Sequence, residues 1–332
     1  MAAMKEHLNA VLRIAQEPCE YFDNLRVHEL LTCDPQGYLN YICSQLADIA
    51  AGRASLELPH KQVFSDGRNE GDFRLMPCVL RNGERVHKTV KLVGTNLAQR
   101  EVPGQITVGK AFALHPEENF ITHAFDACLL SSARTGVCAA LALGWLAPCA
   151  GRLGVFGAGK VGYYVAFYAL ASGATKDVVF YDTDSAQAAR TAMVLAEEFP
   201  DARIVAEQQP PRRCDSLVLA TTSTSPLCAP DSCDAKLVIS LGADSEDQHE
   251  LHPSWVGAAD LYTDTMDSLH FGDLLAWQSA GLVAEKDVAD LFCILRDGPQ
   301  AGSRRRLFIS TGSALFDNLT IGYLLTGNED VK

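Results

Sequence analysis

Apolar side chains recur every three or four positions along residues 5–18 (Leu8, Val11, Leu12, Ile14) and 35–52 (Leu39, Ile42, Leu46, Ile49). That period predicts two amphipathic helices, the second ended by Gly52. From 73 to 93 the pattern shortens to the β-like runs FRLMPCVL and HKTVKLVG. They flank Arg81-Asn82-Gly83-Glu84, whose Asn-Gly pair favours a tight hairpin. The runs QITVGKAFALH and NFITHAFDACLL bracket Pro116-Glu117-Glu118-Asn119 in the same way. The first part of the chain therefore reads as an α+β unit around a sheet with mostly antiparallel neighbours.

The pattern then changes. A helix is expected from about Ser132 to Leu146, followed by RLGVFG, a helix from Val161, DVVFYD, and a helix from Ala186 to Phe199. SLVLAT, KLVISLG and DLYTD follow as short aliphatic or β-branched runs bounded by polar residues. Strand and helix in alternation imply a parallel, doubly wound sheet with right-handed crossovers. The closing RLFISTGSALFDNLTIGYLL reads as a strand, a glycine turn and an apolar helix that return to the first unit.

Composition narrows the class. At 332 residues, 48% hydrophobic and 21% charged, the chain can bury a large core without staples, which excludes disorder as its main state. A net charge of −13 repels phosphate polymers, so nucleic acid is not expected as a partner. The uncharged stretch between Arg134 and Arg152 is interrupted by Gly136, Gly144, Pro148 and Gly151, and predicts a buried helix, not a membrane span. MAAMKEHLNAVLRIAQ shows no secretory pattern, so cytoplasmic residence is the expectation. Eleven scattered cysteines without a CxxC read as buried thiols in a reducing compartment.

The strongest chemical signal is Gly157-Ala158-Gly159-Lys160-Val161-Gly162, between the strand LGVF and an apolar helix. The first glycine permits the turn, the second admits a pyrophosphate to the backbone, and the third lets helix and strand pack closely. Asp182, twenty residues beyond Gly162, closes the strand VVFYD, where a carboxylate suits ribose hydroxyls and repels a 2′-phosphate. NAD is the cofactor expected.

These residues sit in a wider pattern. ACLLSSARTGVCAALALGWLAP, running into a strand and GAGKVG, resembles the hallmark of the ornithine cyclodeaminase/mu-crystallin family. KLVG at 91–94, RLMP at 74–77 and STGSALFDNLTIGYLL are similar to its other landmarks, in the right order from about residue 20 to 326. The resemblance implies an α/β fold in which a Rossmann-type doubly wound parallel sheet is inserted into an α+β substrate-binding and dimerisation domain. By it, residues 1–133 and 288–332 form the substrate and dimer domain and 134–287 the NAD domain. It also implies a homodimer, and hydride chemistry at the Cα–N bond of an amino acid.

Carried onto matching positions, the resemblance gives Arg134 to the substrate α-carboxylate, where a guanidinium can bind with two parallel bonds. It gives Lys91 the place of a lysine facing the reacting centre, as carboxylate anchor or as acid and base if burial lowers its pKa. Asp244, after KLVISLGA, would assist amine and water activation, and Lys61, after LPH, would add a carboxylate-binding cation. Thr107, Thr135, Thr221, Thr222 and Gly312 fall on the cofactor side.

Arg74 departs from the family's pattern: true ornithine cyclodeaminases carry an acid where RLMP begins. A guanidinium there disfavours ornithine and, if it points inward, favours a second carboxylate. In LLSSARTG, KLVG and LPHK the chain resembles the branch that oxidises N-(2-amino-2-carboxyethyl)glutamate to 2,3-diaminopropionate and 2-oxoglutarate. The expected function is an NAD-dependent amine-to-imine oxidoreductase followed by hydrolysis. A cyclodeaminase, an imine reductase and a mu-crystallin-like dinucleotide- and ligand-binding protein remain as alternatives. His249 and His252 form an HxxH without a third ligand, so they read as loop and cap residues and no metal is expected.

Overall fold

The structure, a computed structural model, describes residues 7–8, 11–12, 15–65, 71–147, 151–243, 245, 248–300 and 304–329. Its first sheet contains β1 (Glu20–Phe22), β2 (Ala54–Glu57), β3 (Gln62–Phe64), β4 (Phe73–Asn82), β5 (Arg85–Thr95), β6 (Thr107–Leu114) and β7 (Ile121–Asp126). The order is β1-β7-β6-β5-β4-β2, with β3 also on β4, and every pairing except β1 with β7 is antiparallel. The expected hairpin is β4–β5, closed where Asn82 pairs with Arg85 and Gly83 takes φ +61°.

Proline in the middle of a strand needs a reason, since it cannot donate to a ladder. On β4 the partner β3 stops opposite Leu75 and β2 starts opposite Val79, so Pro77 falls in the gap between them. That same gap releases residues 58–61 from the sheet, and with them His60 and Lys61.

The second sheet holds β8 (Arg152–Phe156), β9 (Asp177–Tyr181), β10 (Arg203–Ala206), β11 (Ser216–Leu219), β12 (Leu237–Ser240), β13 (Ala259–Thr263), β14 (Val288–Asp290) and β15 (Arg305–Ile309). Its order is β10-β9-β8-β11-β12-β15-β13-β14, parallel throughout, and it reverses direction between β8 and β11. This is the Rossmann-type α/β arrangement, whose ligands bind at such a reversal.

Four readings need correction. DACLL was expected to extend a strand, but β7 stops at Asp126 and a helix runs from Ala127 to Leu146, five residues earlier than Ser132. A fully apolar run does not distinguish buried strand from buried helix. RLFIS was expected in the first unit, yet β15 lies inside the second sheet, between β12 and β13; only the Ala314–Glu329 helix packs against β4 and β5. The Asn24–Thr32 helix was not anticipated; its cap is Asp23, which accepts from Arg26 N at 2.9 Å. Of the helix expected at 5–18, residues 7–8 and 11–12 are helical, 15–18 are not, and the rest lie outside the described residues.

The Ala127–Leu146 helix is the centre of the core and runs through the boundary expected at residue 134. It is long and apolar enough to cross a membrane, but 89% of that window is buried inside the protein, as expected of a core helix. At Gly136 it meets the Lys160–Ala171 helix so closely that a Cβ would stand 2.6 Å from the Tyr164 backbone. The cysteines follow expectation in part: Cys78, Cys128, Cys138, Cys214, Cys228 and Cys233 are buried thiols, whereas Cys19 and Cys33 are exposed.

Candidate active site

Alternation along β4 and β5 sends Arg74, Met76 and Cys78, with their partners Val93, Lys91 and Thr89, to the inner face. Arg74 and Lys91 are thereby diagonal neighbours on one surface. The Ala127–Leu146 helix brings Ser131 and Arg134, three residues apart and so on one side. The Ala314–Glu329 helix brings Asp317 in its first turn, where the helix dipole favours an acid.

The three elements converge on one carboxylate. Lys91 Nζ lies 2.8 Å from Asp317 Oδ1, 2.7 Å from its Oδ2 and 3.3 Å from Ser131 Oγ. Arg134 Nε donates to Asp317 Oδ1 at 3.1 Å. Lys91 is 2% and Asp317 1% exposed, so these charges are held away from water. Burial drives the Lys91 ammonium down to about 7, opposed by Asp317 and reinforced by Arg134 and Lys61. A lysine that titrates near neutrality can both take and return a proton.

Arg134 is not saturated by this contact. Among the described residues, Asp317 is its hydrogen-bond acceptor through Nε, and Nη1 and Nη2 face Gly312. Gly312 has φ +82°, and a Cβ there would stand 2.8 Å from Nη2. The glycine therefore clears space for the guanidinium edge.

Lys61 Nζ donates to Thr311 O at 3.0 Å and lies 3.6 Å over the Phe271 ring. Arg74 is buried, as an inward-pointing guanidinium should be, but Asp72 holds it with two bonds of 2.9 Å, Nε to Oδ1 and Nη2 to Oδ2. Lys61, Lys91, Arg134 and Arg74 are thus all buried cations around one side of the first sheet. Asp244 lies outside the described residues.

On the second sheet, Gly157 has φ +95°, and its N–H donates to Tyr181 O at 2.9 Å. A Cβ at Gly162 would overlap the Gly157 carbonyl oxygen, whereas Gly159 faces open space. The Lys160–Ala171 helix starts at Gly159 without a side-chain cap, which leaves its first amides for a ligand. Asp182 Oδ2 accepts from Ala158 N at 2.7 Å, and Thr191 and Gln187 donate to Ala158 O at 2.8 and 3.1 Å. Lys160 Nζ reaches Gly104 O at 2.5 Å, and Val161 begins the apolar face of the helix.

The threonines differ. Thr107 pairs with Thr95, on the same face as Lys91. Thr135 bonds back to Ser131 O at 2.8 Å inside its own helix, which occupies its hydroxyl donor. Thr221 donates from both N and Oγ1 to Glu250 at 2.8 Å, while Thr222 is exposed beside it.

Asp317, Asp72 and Glu250 were not singled out from the sequence. Asp317 had a signal: it is the lone acid in the apolar run SALFDNLTIGYLL, and an acid there must be paired. Glu250 is fully buried and joins the ends of β11 and β12 through Thr221, Ser240, Leu241 and Gly242, with burial raising its pKa. Its neighbours serve as expected: His249 pairs with Asp273 at 3.1 Å, and His252 caps the Pro253–Trp255 turn.

A model of the ornithine cyclodeaminase/mu-crystallin family matches residues 23–318. The iminosuccinate reductase of Paracoccus denitrificans (strain Pd 1222) is 26% identical over 211 residues, which are 62% of this chain and 66% of that protein. The match thus spans just under two thirds of the relative's length. Its crystal structure with NAD+ superimposes with a TM-score of 0.79 at 20% identity, covering 95% of this chain and 97% of that one. Thermococcus litoralis Δ1-pyrroline-2-carboxylate reductase, solved with NADH and L-proline, gives 0.84 at 18% identity, with 94% and 98% covered.

Proposed function

The chain belongs to the ornithine cyclodeaminase/mu-crystallin family, and on that premise we propose that it is an NAD-dependent oxidoreductase interconverting the amine and imine of an amino acid. The observation that carries this reading is the buried Lys91–Asp317–Arg134 constellation. It combines a carboxylate anchor with a proton-transfer group in a dry site.

The glycine turn fits NAD. Residues 157–162 would hold the pyrophosphate, and Asp182 the adenosine ribose. When bound, the nicotinamide accepts or returns the Cα hydrogen with its electron pair. Arg134 binds the α-carboxylate through Nη1 and Nη2 and fixes Cα. In oxidation, neutral Lys91 Nζ takes the proton that the substrate ammonium must lose; in reduction, Lys91 returns it. Asp317 keeps the protonated form of Lys91 tolerable and aims both cations.

Inward placement of Arg74, diagonal to Lys91, supports a substrate with a second carboxylate, and Lys61 adds a further cation. Asp72 offsets the Arg74 charge, so the preference is smaller than an unpaired guanidinium would give. Candidate substrates are iminosuccinate, with aspartate in reverse, and N-(2-amino-2-carboxyethyl)glutamate. The test is a nicotinamide absorbance time course with each of these and with ornithine, products identified by mass spectrometry. Net NADH turnover with a dicarboxylic substrate is expected. Proline from ornithine without net NADH would mean cyclodeamination instead.

The reading includes a homodimer. Phe64, Phe73 and Leu92 are exposed on the outer face of the first sheet, with the Phe64 and Phe73 rings stacked at 4.9 Å. An apolar sheet face of this kind suits a second copy.

A further inference from the structure

We propose that His60, Asp267 and His270 form a binding site for a divalent transition-metal ion at the rim of the active site. The HxxH pair His249 and His252 is engaged elsewhere, with Asp273 and with Ser254. The three residues proposed here come from segments far apart in the chain: His60 from the loop released between β2 and β3, Asp267 and His270 from the Met266–His270 turn.

His60 Nδ1 stands 2.7 Å from Asp267 Oδ1 and His270 Nδ1 3.7 Å from the same oxygen. One ligand atom from each residue lies within 4.8 Å of the others, and the two imidazole rings meet edge to face at 5.0 Å. Donors around a tetrahedral zinc stand about 3.3 Å apart, given bonds of about 2.0–2.1 Å, so small rotations of exposed rings suffice. Two imidazoles and a carboxylate are a donor set for zinc and its borderline neighbours, not for calcium or magnesium. His60 and His270 are exposed, which gives the ion an entry path and leaves its remaining positions to water.

The position gives the site a consequence. Asp267 Oδ2 accepts from Lys61 N at 3.3 Å, and Lys61 and Phe271, which stack, each adjoin a ligand in sequence. An ion here would staple the Lys61 loop to the turn that carries Phe271.

The experiment uses the full chain after chelator treatment. Zn2+ is titrated by equilibrium dialysis, and Co2+ is titrated with absorbance spectra, for wild type, His60→Ala and His270→Ala. We expect one equivalent in wild type, lost in each variant. The Co2+ spectrum should lack a thiolate charge-transfer band, and Zn2+ should raise the thermal midpoint of wild type only. Equal midpoints of the three proteins without metal establish that the variants fold. Unchanged stoichiometry in the variants, no binding by wild type, or a thiolate band would each overturn the proposal.

Discussion

Lys91 and Asp317 are 226 positions apart in the chain, yet the Lys91 ammonium rests 2.7 Å from the Asp317 carboxylate with both side chains buried. A buried charge without a partner is far costlier than the pair, so the two helices and the strand that carry these residues and Arg134 are locked together by the chemistry of the site itself.

Asp317→Asn removes the anion that two buried cations share. Asp317 holds the Lys91 pKa up, so its loss moves that pKa below about 7 and shifts the pH midpoint of turnover to lower pH. Breaking such a pair is expected to cost about 3–5 kcal/mol of stability, read by denaturant unfolding. A midpoint that stays in place would separate Asp317 from Lys91.

Arg134→Lys keeps the charge but loses the planar edge that faces Gly312. Charge-assisted bonds are worth about 1.5–3 kcal/mol, so KM for the amino or imino acid should rise roughly ten- to hundredfold. NADH affinity, followed by fluorescence, should barely change. An equal loss of both would place Arg134 in the scaffold.

Much of this site was legible in the chain. The glycine turn and Asp182 announce themselves because strand, turn, helix and acid come at fixed intervals along neighbouring sequence. Arg134 and Lys91 came from the wider resemblance. Asp317 left a trace as the lone acid of an apolar run, but Asp72 and Glu250 did not show, because each acts through partners brought together by tertiary packing: Asp72 through Arg74, Glu250 through β11 and β12. The strand β15 was expected with the first unit for a related reason, since a short run such as Leu307-Phe308-Ile309 carries no mark of which sheet it joins. Pro77 did carry one, in the gap that a missing N–H requires.

Asp182→Ser should relax the cofactor preference. The carboxylate that would repel a 2′-phosphate is gone, while a hydroxyl can still accept from Ala158 N. The ratio of kcat/KM for NADH over NADPH is expected to fall severalfold or more; a constant ratio would put the ribose elsewhere.

Phe73→Asp places a charge on the exposed apolar face of the first sheet. Light scattering after size exclusion should report a dimer for the wild-type chain and a shift toward monomer for the variant. A wild-type monomer, or an unaffected dimer, would remove that face from the assembly.

The most direct test of the central claim is the pH dependence of kcat in both directions on one amino acid and imino acid pair. With Lys91 near 7, oxidation needs the neutral amine and should rise with pH through about 7, whereas reduction needs the ammonium and should fall through the same midpoint. Lys91→Met should abolish both limbs while NADH still binds. Profiles that are flat near pH 7, or that survive in Lys91→Met, would contradict the assignment of proton transfer to this buried lysine.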